Sequence, residues 1–348
     1  MAAANTTSKP AGSVAKIEAP VKGESLWADS FRRLRRNRAA MMGLAIILFF
    51  IFIAIFAEQI APFGYAEQQL IKNNAAPLWV TQLFPTMVPV GEPGGYVTIT
   101  TEFPLGADNL GRDLFSRIIF GARISLLVAF VGPLVAIMVG VAVGLLAGYS
   151  GGFIDNALMR FVDLMYAFPT ILLIILMMAF FRAGFADIPP SSPAYFISAA
   201  DRASGGLLFI FIGIGLTSWM GMARLVRGQV LSVREKEYIE AATSLGANRS
   251  RVVFRHILPN ILGVLIVAET LAIPTYISYE AFLSFIGLGV NAPTPSWGGM
   301  ISEGARSIQS YPNQALFPAM ALFLVIFAFN FLGDGLRDAL DPRMRGVD

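Results

Sequence analysis

Six apolar stretches divided by polar segments predict an all-α integral membrane protein with six transmembrane helices. Three observations carry that prediction. Hydrophobic residues make up 55% of the chain and charged residues only 14%, with a mean hydropathy of +0.64. A soluble domain of that balance would expose far too much apolar surface. Several apolar runs approach or exceed about 20 residues, the length that crosses a bilayer as a helix. The basic residues also gather in alternate polar segments, as the positive-inside bias of membrane proteins requires.

Residues 1–24 are rich in Ala, Thr, Ser, Pro and Lys and are expected to be a disordered cytoplasmic tail. They do not read as a signal peptide, because the first apolar run begins only near Ala39 and has no convincing cleavage site. Residues 25–62 hold an interfacial helix and the first span. Ser25 is a candidate cap, Leu26, Trp27, Phe31 and Leu34 share a face, and Arg32, Arg33, Arg35, Arg36 and Arg38 form the basic flank. The span itself covers about 39–57.

Residues 63–122 are too polar to span, and the topology makes them extracytoplasmic. Gly94-Gly95 between 88–90 and 96–99 is a weak hairpin signal. Before the second span, Asp108 or Asn109 is the expected N-cap, with Leu114, Ile118 and Ile119 on one helix face.

Residues 123–337 hold the other five spans. The second, about 124–149, repeats Gly140, Gly144 and Gly148 at every fourth position, a spacing that lets helix backbones approach closely in lipid. The third, about 156–181, is expected to kink at Pro169 and to pair Arg160 with Asp163 one turn away. The fourth covers about 206–223. The fifth, about 260–286, carries Glu269 and Glu280. An ionisable group at membrane depth is costly and usually faces a cavity or a partner. Both are candidate pathway residues. For Glu269 a hydrogen-bonded packing role stands beside that reading; Glu280, near the end of its span, leans toward structure. The sixth span covers about 314–332, and 338–348 form a second cytoplasmic tail.

Orientation follows from charge. Lys9, Lys16, Lys22 and the Arg32–Arg38 cluster precede span one. Arg224, Arg227, Arg234, Lys236, Arg249, Arg251 and Arg255 lie between spans four and five, and Arg337, Arg343 and Arg345 follow span six. With six spans these segments share one side, the cytoplasm.

The segment 224–259 is the polar island of the spanning half. Tyr238, Ala242 and Leu245 recur at i, i+4 and i+7, with Ala241 beside them. Gly246 follows the last periodic residue, where a left-handed cap ends a helix. A second short helix is expected over 250–256, before Pro259. Two readings fit: a basic amphipathic loop lying on lipid headgroups, or a helix seated in another protein's groove.

A family resemblance in the exact residues shifts the balance toward the second reading. Glu240-Ala241-Ala242, Gly246 and Leu258-Pro259 resemble the EAA loop of ABC-transporter permease subunits, with His256 where an apolar residue is usual. Leu105-Gly106-Ala107-Asp108 through Asp113, Glu280 through Gly289, Pro293 through Gly298 and Phe329 through Pro342 resemble further motifs of the peptide/nickel branch, C-type. The resemblance implies a type I ABC importer permease fold for dipeptides or oligopeptides. It implies as partners a B-type permease subunit, two ATP-binding subunits and an extracytoplasmic substrate-binding protein in the bacterial inner membrane. It assigns ATPase coupling to Tyr238, Glu240, Ala241, Ala242, Leu245, Gly246 and Pro259. A permease for nickel or another small solute, and a non-transporting membrane scaffold, are the alternatives.

Enzyme and cofactor readings find little support. There is no cysteine and one histidine, which excludes disulfides, iron–sulfur clusters and any ordinary zinc site. No G-x-x-x-x-G-K-[ST] stretch exists to cradle a nucleotide phosphate, so ATP hydrolysis is expected on partner subunits. The net charge of +3 needs no nucleic acid to explain it.

Overall fold

Long apolar helices set the architecture because a bilayer leaves no backbone polar group unpaired at modest cost. A computed structural model describes residues 26–185 and 188–341. The expected cap at Ser25, the tail before it, the side chain of Trp27 expected as an anchor, and the basic residues Arg343 and Arg345 fall outside what it describes.

Helix α1, Leu26–Arg36, leads into α2, Arg38–Ile55. Asn37 separates them and caps α2 by accepting from the Ala40 amide at 3.1 Å. Helix α3 runs unbroken from Leu114 to Ser150, with one wide π turn over Ala136–Gly140. Then come α4, Gly152–Tyr166, α5, Thr170–Phe185, α6, Tyr195–Ala203, and α7, Leu207–Arg234. The chain continues through α8, Glu237–Ser244, α9, Arg249–Phe285, α10, Trp297–Ala305, and α11, Asn313–Leu340. Among the described residues, helices α2, α3, α7, α9 and α11 are each long and apolar enough to cross a membrane; the bent pair of α4 and α5 brings the count to six when it is taken as one span.

That sixth span differs from the expected kinked helix. Its halves meet at 83°. Pro169 has no N–H and cannot continue the ladder, so the chain closes α4 on Asp163 and Leu164 and restarts at Thr170. The expected short helix at 250–256 is likewise not separate. It is the first two turns of α9, and a π turn over Val252–Ile257 precedes Pro259, whose missing N–H the widened turn absorbs. The polar loop therefore contracts to 235–248.

The glycine ladder packs as its spacing requires. A Cβ on Gly144 would sit 2.6 Å from the Ala223 carbonyl, and one on Gly148 would sit 2.8 Å from the Val230 side chain. Both lie on α7, so α3 and α7 touch backbone to backbone. On the other flank Gly43 of α2 leaves room for Ala328 and Phe331 of α11. Trp297 seals the centre: its ring meets Phe50 edge-on at 5.4 Å and its indole N–H donates to the Ile118 carbonyl at 3.0 Å.

The segment between α2 and α3 folds against the start of α11. Gln314 Nε2 donates to Asn74 Oδ1 at 2.8 Å and to the Ala107 carbonyl at 3.1 Å, and Asn313 Nδ2 donates to the Leu105 carbonyl at 3.0 Å. Ala76, Val80, Met87 and Val97 form a small apolar cluster there. The expected hairpin around Gly94-Gly95 is not a ladder; isolated bridges, Pro89 with Val97 and Ala76 with Ile99, take its place. One flank carries Pro89 and Pro93, and a proline has no N–H for a ladder.

Candidate docking site and its buried polar clusters

Helix α8 is a two-turn element with one buried side chain. Ile239, 5% exposed, enters an apolar cluster with Val226, Val230, Val252 and Ile257. That single anchor leaves the Tyr238–Ala242–Leu245 stripe outward: Tyr238 is 45% exposed and Leu245 89%. Ala241 is exposed beside them, and no bulky side chain crowds the stripe between Tyr238 and Leu245. Glu240, two residues from Tyr238, sits on the opposite flank of the helix, where it lines a polar cleft of about 480 Å³ with Arg234 and Arg249.

The end of α8 is set by Gly246, φ +84°. Its N–H donates to the Thr243 carbonyl at 2.9 Å, and the Ala247 N–H donates to the Ala242 carbonyl at 3.1 Å. These are the two bonds of a Schellman cap, which needs the left-handed conformation glycine adopts freely. Asn248 then caps α9 by accepting from the Arg251 amide at 2.8 Å. Pro259 lies exposed in the third turn of α9.

Helix α8 is tied to the membrane helices through α7. Arg227 of α7 holds Asp155 of α4 in a two-pronged pair, Nε to Oδ1 at 2.5 Å and Nη2 to Oδ2 at 2.7 Å. One turn earlier Arg224 pairs with Asp163 at 2.5 Å and lies over the Tyr166 ring at 3.9 Å. Asp163 thus meets Arg224 across helices rather than Arg160 on its own helix, as the sequence suggested. Two arginines one turn apart hold α4, the helix that ends at the 83° bend.

The two glutamates of α9 occupy different surroundings. Glu280 is fully buried and accepts from Ser284 at 2.7 Å and Ser125 at 3.3 Å, with Ser296 joined to Ser284 at 3.1 Å. It ties α9 to α3 and to the residue that caps α10. Glu269, 6% exposed, accepts from the Tyr276 hydroxyl at 3.2 Å, two turns along the same helix.

A third polar cluster lies at the far end of the bundle from α8. Asp108 folds back on its own turn, accepting from the Leu110 and Arg112 amides at 2.9 and 3.0 Å and from Arg112 Nε at 2.6 Å. Arg112 and Arg117 both donate to Glu303 of α10, at 2.9 and 3.0 Å. The N-cap of α3 is therefore Asp113, not Asp108 or Asn109. Its Oδ2 accepts from the Ser116 amide at 2.8 Å and the Ser116 hydroxyl at 2.6 Å. Burial pushes the Asp113 carboxyl above the usual range, against the pull of the Ser116 bonds. The sequence reading missed this cluster because Glu303 lies 191 residues beyond Arg112.

Among the described residues no group of three or more His, Cys, Asp or Glu side chains is arranged to hold a metal. What the geometry does define is a membrane bundle with an outward-facing short helix at one end. Two family profiles match the chain. "Binding-protein-dependent transport system inner membrane component" covers residues 140–346, and "N-terminal TM domain of oligopeptide transport permease C" covers 25–77. The chain belongs to the binding-protein-dependent transport system inner membrane component family.

Its relatives narrow the class further. The oligopeptide transport system permease protein OppC of Bacillus subtilis is 38% identical, over 96% of this chain and 95% of the relative. OppC of Escherichia coli K12 is 40% identical, over 93% and 94%. The dipeptide transport system permease protein DppC of B. subtilis is 37% identical, over 91% and 86%. The fold is similar to that of an inward-facing structure of the MetNI methionine ABC transporter, with TM-score 0.51 and 19% identity over 65% of this chain and 96% of that one.

Proposed function

We propose that this protein is the C-type permease subunit of an ABC importer that moves dipeptides or oligopeptides into the cytoplasm. It works with a B-type permease subunit, two ATP-binding subunits and an extracytoplasmic substrate-binding protein, in a bacterial inner membrane with both termini cytoplasmic. The observation that carries this reading is the near-full-length likeness to oligopeptide and dipeptide permeases. It is joined to a short helix that leaves Tyr238 and Leu245 exposed, with Ala242 half-buried between them.

Tyr238, Ala241, Ala242 and Leu245 are the coupling surface, Gly246 sets its end, and Glu240 and Pro259 frame it. A groove on an ATP-binding subunit receives the stripe as grooves receive amphipathic helices generally. When ATP closes the ATPases, α8 moves with them. Helix α7 carries that displacement, because it is continuous to Arg234 and pinned to α4 by Arg224 and Arg227. Two packings of the helices, inward- and outward-open, are then biased by a ligand bound elsewhere.

Glu280, with two serine hydroxyls on it, serves the scaffold. Glu269 accepts one side-chain hydrogen bond among the described residues, which leaves acceptor capacity for a peptide's N–H groups; we assign it to the pathway wall.

The test is uptake by proteoliposomes holding the five-component assembly. A labelled tri- or pentapeptide should accumulate only with ATP and the binding protein, while nickel ion should not. ATP-driven nickel accumulation without peptide uptake would favour the small-solute reading. Neither accumulating, with an intact assembly, would favour the scaffold reading.

A further inference from the structure

The segment between α2 and α3 carries an apolar face that the coupling account does not use. It belongs to the short helix Leu78–Leu83. Val80 and Thr81 of that helix are buried, while Leu78, Trp79 and Leu83 are each about half exposed. Trp79 and Leu83 are four residues apart and share one face. The chain around them is neutral: no charged residue occurs between Lys72 and Glu92.

The depth of this face can be read from α11. The Trp79 ring lies 5.8 Å from the Phe317 ring, centroid to centroid, and Phe84 meets Phe317 from the other side at 6.0 Å. Phe317 stands in the first turn of α11, just past Asn313 and Gln314. From Ala315 to Phe329 that helix has no polar side chain, and the apolar run reaches Leu332 with Asn330 as its one interruption. Such a run is about 27 Å long as a helix, against about 30 Å of hydrocarbon in a bilayer. It has no length to spare, so its first turn lies at the edge of the hydrocarbon, and Trp79 lies there with it. Leu316, Met320 and Phe323 continue an exposed apolar surface down α11 from that point.

We propose that the helix Leu78–Leu83 is a membrane anchor, seated at the boundary between phospholipid headgroups and acyl chains through Leu78, Trp79 and Leu83. Tryptophan favours that boundary because it joins a large apolar ring to one polar N–H. Here the N–H donates to the Pro104 carbonyl at 3.1 Å, so the ring meets hydrocarbon with no donor left unpaired. A soluble protein is the less suited occupant, because an uncharged face offers no ion pair to steer its approach. The inference rests on α11 crossing the membrane, and holds whether or not the protein carries peptides. Its consequence is that the bilayer, together with Asn313 and Gln314, fixes where this segment sits.

Because the chain has no cysteine, a nitroxide label can be placed at one position at a time and its surroundings read by electron paramagnetic resonance. In the assembled complex in phosphatidylcholine nanodiscs, labelled Leu83→Cys should collide several-fold more often with oxygen, which concentrates in lipid, than with a water-soluble nickel chelate. Labelled Glu92→Cys, at an exposed charged position, should show the reverse. More collisions with the chelate at Leu83 would place the helix in water and overturn the inference. Few collisions with either reagent would overturn it too, since a protein surface would then cover the face. A lipid-type ratio at Glu92 as well would deny that the helix is the anchor. Should labelled Leu83→Cys fail to assemble, Leu78→Cys, on the same exposed side, decides by the same outcomes.

Discussion

At the scale of single residues, the account turns on Gly246 and the two buried glutamates. A β-carbon at Gly246 meets no neighbour, so the cost of replacing it lies in the backbone, roughly 1–2 kcal/mol for a left-handed residue and more with β-branching. Gly246→Val should therefore leave the protein inserted but loosen α8, and ATPase subunits should co-purify in lower yield; unchanged yield would contradict the role of the cap. Glu280→Gln should lower stability in a thermal melt, since it disturbs a fully buried hydroxyl cluster. Glu269→Gln should change peptide uptake more than it changes the melt. The reverse pattern would exchange the two assignments. Gly246 was legible in the sequence because a helix end is a local demand. Ile239 was not, because one apolar residue off a polar stripe carries no period; only the cluster it enters reveals it. The sequence put the cap at Asp108 or Asn109; Asp108 is instead held in its own turn by the Leu110 and Arg112 amides and Arg112 Nε, and Asp113 caps the helix.

At the scale of elements, the contact that matters most is α7 on α4. The Asp155–Arg227 pair is two-pronged but Arg227 keeps about a third of its side-chain surface exposed, so removing it should cost about 1 kcal/mol, near the upper range for a partly screened pair. Asp155→Arg alone should lower the melting temperature and the ratio of peptide moved to ATP hydrolysed. Asp155→Arg with Arg227→Asp should recover both, and failure of the swap with an intact fold would show that the pair does not transmit. The burial of Asp155 and Arg227 differs enough between the two partners that Asp155 should tolerate change less well. The glycine ladder at 140, 144 and 148 was readable from spacing because close approach of helices has its own signature, and it packs on α7 as that signature implies. The bend at Pro169 was readable as a break but not as 83°, because a proline marks where the ladder stops and not where the next helix points. Periodicity sees partners one turn away; Arg224 lies 61 residues from Asp163.

At the scale of the whole molecule, hydropathy placed the five long apolar helices and the bent pair of α4 and α5, while it did not foretell the fold of the long segment between α2 and α3. Its fold is held by Asn313 and Gln314, from the far end of the chain, and no local pattern announces such a bond. The proposed orientation puts that segment outside and α8 inside. The chain has no cysteine, so single cysteines report cleanly: one at Pro93 should react with an impermeant thiol reagent in intact cells, and one at Ser250 should not. The opposite labelling would invert the topology. The same absence of native cysteine makes the docking face directly addressable. Leu245→Cys, 89% exposed on α8, can carry a short photo-crosslinker in the assembled complex in native membranes. The account predicts a crosslinked product with an ATP-binding subunit, whose yield changes when ATP is added and hydrolysis is blocked. Crosslinking to lipid alone, in membranes where the ATP-binding subunits are present and bound, would contradict it.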